Sequence, residues 1–81
     1  MIILLQESAK KDLKKIDKTM VIRILKSIKK LEDYPDVANI KKLKNHYPPQ
    51  RFRVGDYRIL FDIEDNKIIV VNIKHRKEAY E

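Results

Sequence analysis

Three arginines in the C-terminal half have the side-chain type and spacing needed to hold a phosphate group. Arg51 and Arg53 alternate with apolar residues, and Arg58 follows the pair Gly55-Asp56. A guanidinium is planar, permanently charged and able to donate two parallel hydrogen bonds to an oxyanion. The same charges could instead protect a solvated sheet edge against aggregation. We favour phosphate binding, because arginines facing each other across strands destabilise a sheet and such local conflicts tend to mark function.

A second group of candidate residues lies near the C-terminus of the sequence. His75 and Arg76 are adjacent, and Tyr80 follows four residues later. Histidine exchanges a proton near neutral pH, arginine stabilises a pentacoordinate phosphorane, and tyrosine can stack on a base or bond a 2′-OH. These three types suit a ribonuclease. Taken alone, a His-Arg pair at a strand end is more often an exposed, solvated terminus, and the tyrosine could instead cover the core.

Composition restricts the partners and the class of the protein. The 81 residues allow one domain, which we expect to span residues 1–81. The formal net charge of +7 would attract nucleic acid or an acidic partner protein, although it could also serve solubility alone. The absence of cysteine excludes disulfides and cysteine-ligated metals, and it suits a reducing cytoplasm, where we expect the protein. The apolar start, residues 1–5, is too short for a signal peptide or a membrane span, so no membrane association is expected.

The elements that must position these residues follow from the hydrophobic pattern. The apolar run at residues 2–7 predicts a strand, and Ser8 is predicted to be a helix N-cap. The helical spacing of the apolar residues that follow predicts a first helix that ends near Asp17. A second apolar stripe over residues 21–31 predicts a longer helix that stops before Pro35. Residues 36–50 lack periodicity and indicate an irregular connection.

From Arg51 onward the pattern has period two and predicts three strands, residues 51–54, 57–63 and 67–74. Gly55-Asp56 suits a type II′ turn, which pairs Arg53 with Arg58 and leaves Arg51 on their side of the sheet. A three-residue second turn at residues 64–66 then brings Asn72 opposite Arg58, with Lys74 on the same face. The predicted fold is α+β, in the order β-α-α-β-β-β, with a mainly antiparallel sheet covered by two N-terminal helices. The opposite face carries the apolar residues Phe52, Val54, Tyr57, Ile59, Phe61 and Ile63.

These motifs resemble a known family. The pair Lys42-Leu43, the stretch RFRVGDYRILF at residues 51–61 and the stretch HRKEAY at residues 75–80 are similar to the C-terminal pattern of RelE-type toxins. The stretch AKKDLKKI at residues 9–16 is similar to their first helix. The chain therefore resembles the RelE branch of the RelE/ParE toxin superfamily over nearly its whole length.

The resemblance implies a ribosome-dependent cut in mRNA, in which the substrate's own 2′-OH attacks the adjacent phosphate. It also implies a cognate antitoxin and no metal or small-molecule cofactor. The residues carried over by position are Arg51, Arg53, Arg58, Arg76 and Tyr80. The predicted catalytic residues are Arg53, Arg58, His75, Arg76 and Tyr80, and the predicted RNA-binding residues are Arg51, Lys42, Lys44 and Lys74. Within this set the arginines surround the scissile phosphate, Arg76 stabilises the transition state, and Tyr80 orients the neighbouring base.

Two departures from the family pattern affect these roles. Family members often carry lysine where Arg51 and Arg53 stand, and a guanidinium that keeps its proton is a poor general base. We therefore predict that His75 or Tyr80 carries more of the proton transfer. Asn45 stands where a glycine often follows the Lys-Leu pair, and this changes only the loop.

Two other functions compete with RNA cleavage. A ParE-like protein shares the fold but inhibits DNA gyrase by binding, and the His-Arg-x-x-x-Tyr ending favours the nuclease branch over it. The other is a non-catalytic basic nucleic-acid-binding module or a decayed toxin, in which Arg58→Ala and Tyr80→Phe would change nothing.

Overall fold

The structure of the chain is a computed structural model that describes residues 1–77. Tyr80 and its neighbours at residues 78–81 lie outside the described residues. The elements in chain order are β1 (Ile2–Leu5), α1 (Glu7–Lys14), α2 (Lys18–Lys29), a 3₁₀ turn (Lys30–Asp33), β2 (Ile40–Lys42), β3 (Gln50–Val54), β4 (Tyr57–Glu64) and β5 (Lys67–His75).

The strands form one sheet in the order β1-β5-β4-β3-β2. β1 runs parallel to β5, and every other neighbouring pair is antiparallel. The α+β class with two helices and a mostly antiparallel sheet is confirmed. The expected strand count was wrong, because the segment interpreted as an irregular connection contains β2, whose three residues are too few to show a periodicity.

One face of the sheet carries the hydrophobic core. Apolar residues from the helices and the 3₁₀ turn pack there against alternate residues of the strands, as period-two alternation requires. Each fully buried Ile, Leu or Phe of this kind contributes about 1.5–3 kcal/mol by leaving water. The core comprises Ala9, Ile24, Ile28, Leu31, Phe52, Val54, Ile59, Phe61, Ile68, Val70 and Ile73.

The β3–β4 hairpin has the predicted register. Val54 pairs with Tyr57 and Arg53 with Arg58, so Gly55-Asp56 is the two-residue turn. The backbone φ is positive at Gly55, +57°, and not at Asp56, which is the pattern of a type II′ turn. The two arginines therefore share a face, on the side of the sheet away from the core.

The β4–β5 hairpin differs from the prediction. Glu64 pairs with Lys67, so the turn has only two residues, Asp65 and Asn66. Both have a positive φ, as a type I′ turn requires. A bulge then separates the pairs Phe61–Val70 and Leu60–Asn72. Asn72 consequently lies opposite Leu60, and Lys74 lies opposite Arg58. The expected pairing of Asn72 with Arg58 was wrong by two residues.

The start of α1 also differs. The helix begins at Glu7 after Gln6, and Ser8 lies inside its first turn, where its hydroxyl donates to the Val71 carbonyl. The predicted N-cap role of Ser8 was wrong, because the hydroxyl is used to fasten the helix to β5. α1 ends at Lys14, three residues before the predicted end.

Within residues 1–77, no helix has both the length and the apolar character needed to cross a lipid bilayer.

Candidate functional site

A row of cations crosses three adjacent strands on the face of the sheet opposite the core. Arg53 of β3 pairs with Arg58 of β4, which pairs with Lys74 of β5. Adjacent strands lie about 4.8 Å apart, so paired residues start from neighbouring positions. Arg51 lies in the next row on the same face, opposite Leu60. We call Arg53, Arg58 and Lys74 the cationic row.

The central member of the row is held by the backbone. Arg58 is 8% exposed, and its Nη1 donates to the carbonyl oxygens of Gly55 at 3.3 Å and Tyr57 at 3.4 Å. Its side chain therefore runs along β4 toward the Gly55-Asp56 turn. A guanidinium fixed in this way keeps its charge and needs little reorganisation before binding an anion.

Arg76 reaches the same turn from the end of β5. Its backbone N–H donates to the Asp56 carbonyl at 2.6 Å. Its Nε lies 3.9 Å from the Asp56 carboxylate, and both side chains are well exposed, so this ion pair contributes little to stability. The turn thus brings together Arg58 and Arg76, which are far apart in sequence.

Lys74 has an acidic partner that the sequence analysis missed. Its Nζ lies 3.3 Å from Asp12 of α1, whose carboxylate also accepts the Ile73 backbone N–H at 2.9 Å. Asp12 is 9% exposed. The burial of Asp12 could have been predicted from the sequence. Asp12 follows Ala9 by three residues and precedes Ile16 by four, and this spacing places its carboxylate on the buried stripe of a basic helix. The positive charge of Lys74 is therefore partly cancelled within the protein.

His75 does not join the arginines. It pairs with Tyr57, on the core side of the sheet, and the two rings meet edge to face with centroids 5.3 Å apart. Its Nδ1 accepts the Lys77 backbone N–H at 3.2 Å. The imidazole therefore shapes the chain just beyond β5, on the opposite side of the sheet from the cationic row.

The other predicted RNA-binding lysines are spread along the β2 edge. Lys42 pairs with Gln50, on the core side, whereas Lys41 pairs with Arg51 and lies on the cationic face. Both lysines are exposed, as is Lys44 in the loop after β2. Lys41 was not among the sequence candidates, because a three-residue edge strand could not be recognised and its facing could not be assigned.

Among residues 1–77, no three His, Asp or Glu side chains cluster in a way that could hold a metal ion. The chemistry that the described residues offer is the binding of an anion by guanidinium groups. Arg53, Arg58 and Arg76 surround the hairpin turn, and Arg51 extends the positive surface along β3.

The sequence of the chain is similar to those of known proteins. The family model described as ParE toxin of type II toxin-antitoxin systems, parDE, matches residues 3–80. Toxin RelE3 of Methanocaldococcus jannaschii is 40% identical over 43 residues, which are 53% of this chain and 49% of that protein. The match thus spans about half of that relative's length.

Two solved structures have the same fold. The RelB-RelE antitoxin-toxin complex from Methanococcus jannaschii matches at 30% identity, covering 91% of both chains with a TM-score of 0.76. The archaeal RelE-RelB complex from Pyrococcus horikoshii matches at 24% identity and a TM-score of 0.75, covering 96% of this chain and 97% of that one. From the family match over nearly all of its length, the chain belongs to the RelE/ParE superfamily of toxins from type II toxin-antitoxin systems.

Proposed function

We propose that this chain is a toxin that cleaves mRNA on the ribosome, by attack of a substrate 2′-OH on the adjacent phosphate. The observation that carries the proposal is the convergence of Arg53, Arg58 and Arg76 around the Gly55-Asp56 turn. Arginines that face each other across two strands repel, and an anion bound between them would reduce this repulsion. The similarity of the chain to RelE proteins supports the same activity.

The reaction needs charge stabilisation and two proton transfers. The 2′ oxygen forms a bond to phosphorus, the bond from phosphorus to the 5′ oxygen breaks, and the products are a 2′,3′-cyclic phosphate and a 5′-OH. One proton leaves the 2′-OH and one reaches the 5′ oxygen. Negative charge grows on the phosphate oxygens in the transition state, so preorganised cations around it lower the barrier.

Charge stabilisation and proton transfer are assigned to different side chains. Arg58, held by two carbonyls, faces the phosphate as a fixed cation, and exposed Arg53 and Arg76 close on it from the neighbouring strands. These guanidinium groups cannot accept the 2′-OH proton. Tyr80 therefore remains our candidate for proton transfer and base stacking. The position of His75 supports a different role, in which its bond to Lys77 N–H positions the chain around Arg76.

The decisive experiment adds the purified chain to ribosomes translating a defined message and maps the 5′ ends of the RNA. Removing one preorganised donor of developing charge typically lowers a rate by about 10²–10³, and we expect a loss of this size for Arg58→Ala. Lys11→Ala is the charge control, since Lys11 is exposed on α1 and lies outside the cationic row. Uncut message with the parent chain, or equal cleavage by the parent and Arg58→Ala, would contradict the proposal.

Gyrase inhibition is the second candidate, and the match to the ParE family model is the observation that favours it. A supercoiling assay with purified gyrase separates the two functions. We expect supercoiling to be unaffected at concentrations that cleave mRNA. Inhibited supercoiling together with intact message would assign the chain to the gyrase-binding branch.

We also propose a cognate antitoxin as the protein partner. The two solved relatives described above are both complexes with RelB antitoxins. The net charge of +7 favours an acidic partner segment. Co-expression with the open reading frame next to the gene should relieve growth arrest and raise the recovery of the chain. Unrelieved arrest together with no co-purification would count against that partner.

A further inference from the structure

A second positively charged site lies on the other side of the hairpin from the cationic row. A cleft of about 310 Å³ separates α2 from the end of β3, and we call it the α2 cleft. Arg23 and Ser27 of α2 and Lys30 of the 3₁₀ turn form one wall, while Arg53 and Gly55 belong to the other. Val54, which also lines it, is buried in the core, so the cleft has a rigid side.

Within the described part of the chain, the cations of the α2 cleft are not paired with acidic residues. No acidic residue is among the described residues that line it. Within residues 1–77, Arg23, Lys30 and Arg53 form no ion pair, in contrast to Lys74 and Arg76. Like charges gathered around one concave site repel one another, and bound anionic oxygen would relieve this repulsion.

The hairpin turn connects the α2 cleft to the proposed RNA site. The guanidinium of Arg23 lies so close to Gly55 that a Cβ added there would be 3.6 Å from its Nη2. The carbonyl of the same glycine accepts a hydrogen bond from Arg58 on the other side. Guanidinium groups thus lie on both sides of one turn, that of Arg23 in the α2 cleft and that of Arg58 in the cationic row.

We propose that the α2 cleft binds a backbone phosphate of the same RNA strand that the cationic row holds, one or a few nucleotides from the scissile bond. The inference rests on the proposed function for the identity of the strand. An arginine, a lysine and a serine hydroxyl provide the donors that phosphate oxygens require. An amphipathic peptide is a poorer fit, because the exposed apolar side chains that such a helix needs lie elsewhere, at Ile22 and Leu25.

The test measures binding of a short, unstructured 2′-O-methyl RNA, which cannot be cleaved, over a series of salt concentrations. Each phosphate contact on a single strand contributes about 0.7 to the slope of log K against log salt. We expect the double variant Arg23→Gln, Lys30→Gln to lower that slope by about 0.7, because both side chains are proposed to hold the same phosphate. The control, Lys11→Gln with Lys26→Gln, removes the same charge from exposed helix positions outside the cleft and should change the slope much less.

Two further measurements test whether the loss of slope comes from the charge in the α2 cleft. Arg23→Lys retains the charge and should keep most of the slope, and thermal unfolding should show that all variants are folded. Backbone amide NMR signals of Ser27 and Gly55 should shift when the RNA is added to the parent chain. Equal slopes for the cleft variant and the control, or unmoved Ser27 and Gly55 signals, would overturn the inference. Loss of affinity for an acidic peptide with unchanged RNA binding would also overturn it.

The binding assay is independent of cleavage. If the parent chain binds the RNA through Arg23 and Lys30 but leaves translated message uncut, the α2 cleft stands as an RNA phosphate site and the proposed nuclease activity fails. If the message is cut and the cleft variant binds like the control, the nuclease proposal stands and the cleft fails.

Discussion

Asp12→Ala is expected to destabilise the fold through a single buried backbone group. The Asp12 carboxylate accepts the Ile73 N–H at 2.9 Å, beyond the point where β1 stops pairing with β5. A buried donor left without an acceptor costs about 1–3 kcal/mol. A cavity of about 100 Å³ adjoins Asp12 and Ile73, which is roomy enough for a water to take over part of the bond, so the lower half of that range applies. The Lys74 side chain is about a third exposed, so losing its ion pair adds only about 0.5 kcal/mol.

The expected total for Asp12→Ala is therefore about 2 kcal/mol, measured by urea unfolding followed by circular dichroism. With an m-value of about 1 kcal/mol per molar urea, typical of a small domain, the midpoint falls by about 2 M. Asp12→Asn keeps an acceptor for the Ile73 N–H and should cost less than half as much. Asp36→Ala removes an exposed carboxylate and is the matched control, with a change within about 0.5 kcal/mol. If Asp12→Ala and Asp36→Ala unfold at the same urea concentration, the carboxylate does not hold α1 to β5.

Three further predictions follow from the turn and from the end of β5. Gly55→Ala should destabilise by about 1–2 kcal/mol, since φ is +57° there, whereas Asn66→Gly should be nearly neutral; equal unfolding midpoints for the two variants would contradict this. Arg53→Gln should lower the salt slope of RNA binding by about 0.7 and Lys74→Gln by clearly less, because Lys74 already has a carboxylate partner; a reversed order would show that the ion pair opens on binding. His75→Gln should leave the pH profile of mRNA cleavage unchanged, and the loss of one limb would return proton transfer to the histidine.

The parts of the fold that the sequence predicted are those fixed by local rules. Alternation of apolar and basic residues on either side of Gly55-Asp56 specifies both the turn and the register of the β3–β4 hairpin, because a shift of one residue would bury the arginines. The parallel pairing of β1 with β5 and the existence of β2 depend on contacts between distant segments. Neither leaves a periodic pattern in a run of three or four residues.

The candidate site could be predicted from the sequence only where it depends on the local hairpin. The shared face of Arg53 and Arg58 followed from the hairpin, but the meeting of Arg76 with Asp56 required the length and path of β5. The side of the sheet to which His75 belongs was not assigned, because the last strand was predicted to end at Lys74 and β5 continues to His75. Neighbours on a strand point to opposite faces, so two adjacent candidates cannot both face one phosphate without a break in the strand.

The bulge at Val71 decides which residue completes the cationic row. With the two-residue turn alone, Arg58 would lie opposite Ile73, and the end of β5 would present Ile73 to solvent and Lys74 to the core. The extra residue restores Ile73 to the core and places Lys74 beside Arg58. The three-residue turn expected from the sequence differs from the true turn by one residue, and the bulge adds one more. Two shifts of one residue preserve the side of the sheet, which is why the predicted face of Lys74 was right although its partner was wrong. Deleting Val71 should therefore be far more damaging to the fold than replacing it, because deletion exchanges the core and solvent faces of every residue from Asn72 to the end of β5.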